Sequence, residues 1–241
     1  MRLLLLVAAA PALRATAAEP LLGISLGGAK GAQSLGVPMQ IAILLTLLAV
    51  VPAVVMSLTP FLRIVVVLHF LRQALGTQST PSNQVLIGLA LFLSILIMQP
   101  VLSQMYTQGW EPVEKGQLAL SQGMERAGAP LKAFLIRFAR EKDVKLLVDI
   151  THSAPPRRPA DLDFRILMPA YILSELKTAF QIGAVLFLPF LIIDLVVASV
   201  TLSIGMIQLP PVMLSAPFKV LLFVLVDGWN LVVSSLVRSF Y

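Results

Sequence analysis

Four ionisable residues stand inside apolar sequence in the last third of this chain: Glu175, Asp194, Lys219 and Asp227. A charge at the centre of a membrane helix costs about 2.5 to 3.5 kcal/mol on an insertion scale, and each flanking Leu, Ile, Val or Phe returns about 0.3 to 0.6. Such segments can therefore insert, but their charges need partners, and they are functional candidates by default. Three chemistries suit them: a relay for protons or ions, ion pairs within or between subunits, and the wet wall of a pore. Glu175 and Lys219 have opposite signs, and each opens one of the last two apolar segments, so they form the preferred pair. Adjacent antiparallel helices bring opposite ends together, so a Glu175–Lys219 contact can be one that crosses a subunit boundary. Asp194 and Asp227 are the remaining buried charges, and a proton-coupled small-solute transporter built around them is the alternative reading.

Other residue patterns point to less. Ser174 and Lys177 match the S-x-x-K string of serine acyl-enzymes, but no S-D-N or K-T-G partner motif follows, and a helix start explains the string better. Gly27-Gly28-Ala29-Lys30-Gly31 lacks the spacing of a phosphate-binding loop and follows no strand. His69 and His152 are the only histidines and have no metal partner at helical spacing. Cysteine is absent, which excludes disulfides, thiolate catalysis and Cys-based metal sites. No enzyme, cofactor or metal is expected.

The elements that must position these charges are helices in a membrane. Of the 241 residues, 58% are hydrophobic and only 12% charged, where an ordinary globular chain carries about 25% charged residues. The net charge of +6 comes largely from basic residues near apolar spans. It reads as an orientation signal for membrane lipid, with no nucleic-acid footprint. Residues 1–18 have the n-region, short apolar run and small-residue end of a signal peptide, with cleavage expected after Ala17 or Ala18 and an uncleaved anchor as the other possibility. Residues 19–37 read as an arm. Residues 38–105 hold two charge-free spans, Met39–Leu58 and Gln84–Met105, joined by a loop that carries Arg63 and Arg72 and is therefore cytoplasmic. Residues 106–165 hold most of the charge and read as a small periplasmic helical domain. There an amphipathic helix begins near Pro130, with Leu131, Phe134, Leu135 and Phe138 on one face. Residues 166–241 form a C-terminal hairpin. Its apolar stretch from Thr178 to Leu214 is too long for one bilayer crossing, so it must kink at Pro189, Gly205, Pro210 or Pro211, fold back, or project out of the membrane. The fold class is all-α.

The strings NQVLIGLALFLSILIMQPV, SELKTAFQIG, FLPFLIIDLVVASV and PFKVLLFVLVDGWNLVVSSLVRSFY closely resemble the FliP family of type III secretion export gates, on its flagellar branch. The resemblance covers residues 38–241. It implies a homopentamer that joins FliQ and FliR as the pore of a flagellar protein export gate in the inner membrane, within the basal body. Unfolded flagellar proteins would pass through this pore, and cytoplasmic export-apparatus proteins would act on it. It also implies a helical cone standing largely on the periplasmic side. A flexible methionine gasket matches Met206, Ile207 and Gln208 here, with only the first methionine kept. Glu175 and Lys219 match charges at intersubunit contacts.

Overall fold

A computed structural model describes residues 37–77, 79–154, 156, 158–205 and 210–241. All regular structure among them is helical. The chain divides into two compact units, residues 1–52 and 53–241. The described part of the first unit is the apolar, largely solvent-facing start of α1 (Val37–Leu58).

The second unit is organised by α2 (Phe61–Ala74), which occupies the stretch expected to be a loop. Phe61, Ile64, Val67, Leu68 and Leu71 recur at helical spacing, and Ile64, Val67 and Leu68 are fully buried. The β-branched run Ile64-Val65-Val66-Val67 is a weak helix former by itself. Packing of the apolar stripe against α3 (Asn83–Met105) and α7 (Phe164–Ser203) holds it. At fourteen residues α2 is too short to span a bilayer, which is why hydropathy alone passes over it. Phe70 sets its ring edge-on to Phe180 and Phe187 of α7. Gly183 makes room for it, since a Cβ there would lie 2.5 Å from a ring carbon.

α3 passes into a π-helical turn, Tyr106–Trp110, and the one-turn α4 (Glu111–Glu114). The next two helices are α5 (Leu120–Phe138) and α6 (Glu141–Ile150). The expected stripe on α5 is present, with Leu135 fully buried and Leu131, Phe134 and Phe138 packed around it. The helix begins ten residues earlier than expected and runs through Pro130. Its first half is rich enough in Gln, Met, Glu, Arg and Ala to stay helical, so the proline removes one hydrogen bond without ending the helix.

α7 is continuous for 40 residues through both Pro169 and Pro189. At 1.5 Å per residue that is about 60 Å, roughly twice the bilayer's hydrocarbon core, so the helix is far longer than one crossing requires. The helix ends only at Ser203, close to Gly205 with its positive φ of 79°. The chain returns as α8 (Pro211–Leu225) and α9 (Gly228–Arg238), bent by 67° at the break between them. By length and composition α1, α3 with its extension, and α7 can each cross a membrane, and the bent α8–α9 pair makes a fourth candidate.

Candidate functional site: ion pairs along the long helix

The first turns of α7 place Tyr171, Ser174, Glu175, Thr178 and Gln181 toward α2, α5 and α6. Glu175 is fully buried. The Arg63 Nε of α2 donates to its Oε2 at 2.8 Å, and Nη2 pairs with Oε1. Arg63 Nη1 also donates to the Ser239 hydroxyl at 3.0 Å, and the guanidinium lies 3.9 Å from the Phe240 ring centroid. A planar fork of donors suits this task, because it satisfies both carboxylate oxygens and still stacks on an aromatic face. One guanidinium thus ties α2 to α7 and to the C-terminal residues.

A second node lies at the α5–α6 junction. Asp143, 1% exposed, accepts from the Ser174 hydroxyl at 2.8 Å and pairs with Lys177. The Arg140 backbone N–H donates to Ser174 Oγ at 2.9 Å, and its guanidinium donates to Thr178 and Gln181. Burial by itself would raise the Asp143 pKa. The hydrogen bonds from Lys177 and Ser174, with the charges of Lys177 and Arg140, outweigh it and hold the carboxyl below its ordinary range. The S-x-x-K string is therefore explained: Ser174 and Lys177 lie one helical turn apart and converge on one carboxylate, so Lys177 is not poised to activate the serine.

The third pair crosses the α7–α8 hairpin. Lys219 Nζ donates to Asp194 Oδ2 at 2.6 Å, and the Ser215 hydroxyl donates to the other oxygen. The Lys219 side chain is 4% exposed and that of Asp194 28%. Glu175 and Lys219, expected to meet, each have a different partner within the chain. Glu175 lies more than two turns into α7, whereas Asp194 stands opposite Lys219 where the hairpin arms run side by side. Asp227, expected to be buried, is exposed at the α8–α9 bend. It adopts a left-handed conformation there, with φ 51° and ψ 51°, and accepts from Asn230 at 3.2 Å. Its short polar side chain tolerates that conformation, so the bend accounts for a charge that looked misplaced in apolar sequence.

His69 borders Arg72 at 3.2 Å, and Arg72 also donates to Asn83 across the α2–α3 connection. Burial first, then the Arg72 charge, lowers the His69 pKa. Among the described residues no cluster of three or more His, Asp or Glu side chains could hold a metal ion. Met206, Ile207 and Gln208, and the cleavage region at Ala17 and Ala18, lie outside the described residues. Sequence reasoning missed Arg63, Arg140 and Asp143 as partners. Their only local signal is a charge set at helical spacing within an apolar stripe.

These features define an all-helical membrane protein whose buried charges are paired to lock helices together. A model of the FliP family matches residues 44–236, and the chain belongs to that family. A protein from Cereibacter sphaeroides described as flagellar biosynthetic protein FliP is 49% identical over 218 residues, covering 90% of this chain and 72% of its own length. The proteins of that description from Pectobacterium carotovorum and Bacillus subtilis are 46% and 48% identical. They cover 88% and 83% of this chain and 82% and 91% of their own lengths.

Proposed function

We propose that this chain is a pore-forming core subunit of a flagellar type III protein export gate in the bacterial inner membrane, much of it standing on the periplasmic side. The observation that carries this reading is the family match across residues 44–236, together with relatives described as flagellar biosynthetic proteins. In this reading the chain forms a homopentamer, recruits FliQ and FliR, and passes unfolded flagellar proteins under the control of cytoplasmic export components. Its role is conformational and non-enzymatic.

Two features support it. The outward faces of α3, α7 and α8 expose large apolar side chains, Phe92, Leu195 and Leu225 among them. Lipid or neighbouring subunits suit such faces. Met206, Ile207 and Gln208 come directly after Gly205 in the sequence, between the two arms of the hairpin. A thioether there gives a compliant gasket, and Gln208 makes the ring more polar. Asp194 is engaged by Lys219 and Ser215, so a relay of free carboxylates finds no support.

Native mass spectrometry of the protein co-expressed with FliQ and FliR tests the proposal. Five copies that take up both partners are expected, and a monomer or dimer that binds neither would overturn it.

A further inference from the structure

The charged side chains of residues 166–241 are Glu175, Lys177, Asp194, Lys219, Asp227 and Arg238. The first four are held in ion pairs, Glu175 by Arg63, Lys177 by Asp143, and Asp194 and Lys219 by each other. The two left over have opposite signs and belong to one helix. Asp227 is exposed at the start of α9 and accepts only from Asn230 among the described residues. Arg238 is exposed in the last turn, and its guanidinium makes no ion pair or hydrogen bond with any described residue. The Asp227 carbonyl oxygen accepts from the Leu231 N–H at 3.2 Å, so Asp227 already stands in the register of α9. Arg238 follows about three turns later, and Asp227, Leu231, Ser235 and Arg238 form one exposed stripe. At 1.5 Å per residue the two charges lie about 16 Å apart along the axis, far beyond the roughly 4 Å reach of an ion pair. Neither can satisfy the other within the chain.

We propose that α9 joins neighbouring copies of this chain head to tail, with Arg238 of one copy paired to Asp227 of the next; the contact rests on the homopentameric reading above and names one surface that builds it. The stripe complements a second copy of itself end against end, because an acid stands at one tip and a cation at the other. Joining unlike tips leaves a free acid and a free cation at every step, so copies add until a rotation closes the ring. A two-fold contact would stop at two copies and could not yield an odd number. The 67° bend carries α9 away from the direction of α8, so its tip points aside from the α7–α8 hairpin toward a neighbour. An exposed ion pair alone is weak. Leu225, Val226 and Trp229 are exposed beside Asp227, and Tyr241 is exposed beside Arg238. These side chains supply apolar area to bury, and the two charges fix the register.

The chain has no cysteine, so cysteines placed at the two tips report the contact directly. The full chain, co-expressed with FliQ and FliR and carrying both Asp227→Cys and Arg238→Cys, is treated with a short bis-maleimide. It should give a ladder of cross-linked species up to five copies. Either single variant should stay monomeric, because its cysteines would lie a helix length apart in neighbouring copies. In native mass spectrometry, Asp227→Asn and Arg238→Gln should each raise the concentration at which the five-copy species half-dissociates by about two- to fivefold, the worth of an exposed ion pair. Together they should raise it no more than either alone. A five-copy species that gives no ladder, or dimers from a single variant, or losses that add in the double variant, overturns the contact and leaves the homopentamer standing. A ladder that stops at two copies overturns it in favour of a two-fold contact. Loss of FliQ or FliR from Arg238→Gln, with the five-copy species unchanged, assigns the stripe to those partners instead. An unaltered protein that stays monomeric overturns both the contact and the homopentamer.

Discussion

Arg63 and Glu175, separated by 112 positions in the chain, bury a two-pronged ion pair where α2, α7 and the C-terminal residues meet. Removing one partner of such a pair costs about 3 to 5 kcal/mol, mostly because the other charge is left buried and alone. Glu175→Leu and Arg63→Met should each lower the melting temperature in detergent steeply. The double variant Arg63→Met, Glu175→Leu should recover much of the loss. If the two single losses simply add in the double variant, the pair is not coupled.

The Asp194–Lys219 pair leads to a charge-swap experiment. Asp194→Lys combined with Lys219→Glu should recover stability lost in either single variant. Glu175→Lys combined with Lys219→Glu should not, because it sets a second cation against Arg63 and a second carboxylate against Asp194. Recovery in the second combination and not the first, read from thermal melts and swimming motility, would mean that Glu175 meets Lys219 of a neighbouring copy.

Asp143 makes the packing of α6 on α7 sensitive to acid. Its native pKa lies below the ordinary carboxylate value, which is about 3.9 in an unfolded chain. Between those two values the unfolded state binds more protons, so stability rises with pH. The contribution is fully present above about pH 4 and is lost as the pH falls through the native pKa. Melting curves taken on the acid side, from neutral pH down through the carboxylate range, should therefore show a drop that is smaller in Asp143→Asn, although that variant starts from lower stability.

At the crossing of the π-helical turn with α5, a Cβ on Gly109 would lie 2.6 Å from the Gly123 carbonyl oxygen and 2.8 Å from the Ala127 nitrogen. Backbone cannot yield as a side-chain tip can, so Gly109→Ala should destabilise by about 1 to 3 kcal/mol. Gly128→Ala on α5 meets nothing within 4 Å and should be neutral or slightly stabilising. Parallel thermal melts of the two variants check the contrast.

Asp227 permits the 67° bend between α8 and α9 by taking a left-handed conformation. Asp227→Asn and Asp227→Gly should keep the fold. Asp227→Val should cost about 1 to 2 kcal/mol, since a β-branched residue resists that region. Equal stability of all three variants in detergent would show that the bend does not depend on this residue.

Hydropathy alone marked α1, α3 and α7 and set the all-α membrane class, because about twenty uncharged apolar residues in a row have few other stable states. The 3.6-residue period likewise revealed the stripe on α5, since a face that must be buried repeats with the helix. Long matching strings carried the family. What tertiary structure decided was partnership. Nothing local to Arg63 announces Glu175, and nothing near Asp143 announces Lys177, because these pairs are chosen by helices that pack from distant parts of the chain. The same physics hid α2, a short helix held by its neighbours, and turned Asp227 from an apparent buried charge into the residue of a bend. Sequence determines what each segment must bury; only packing determines against which residues it is buried.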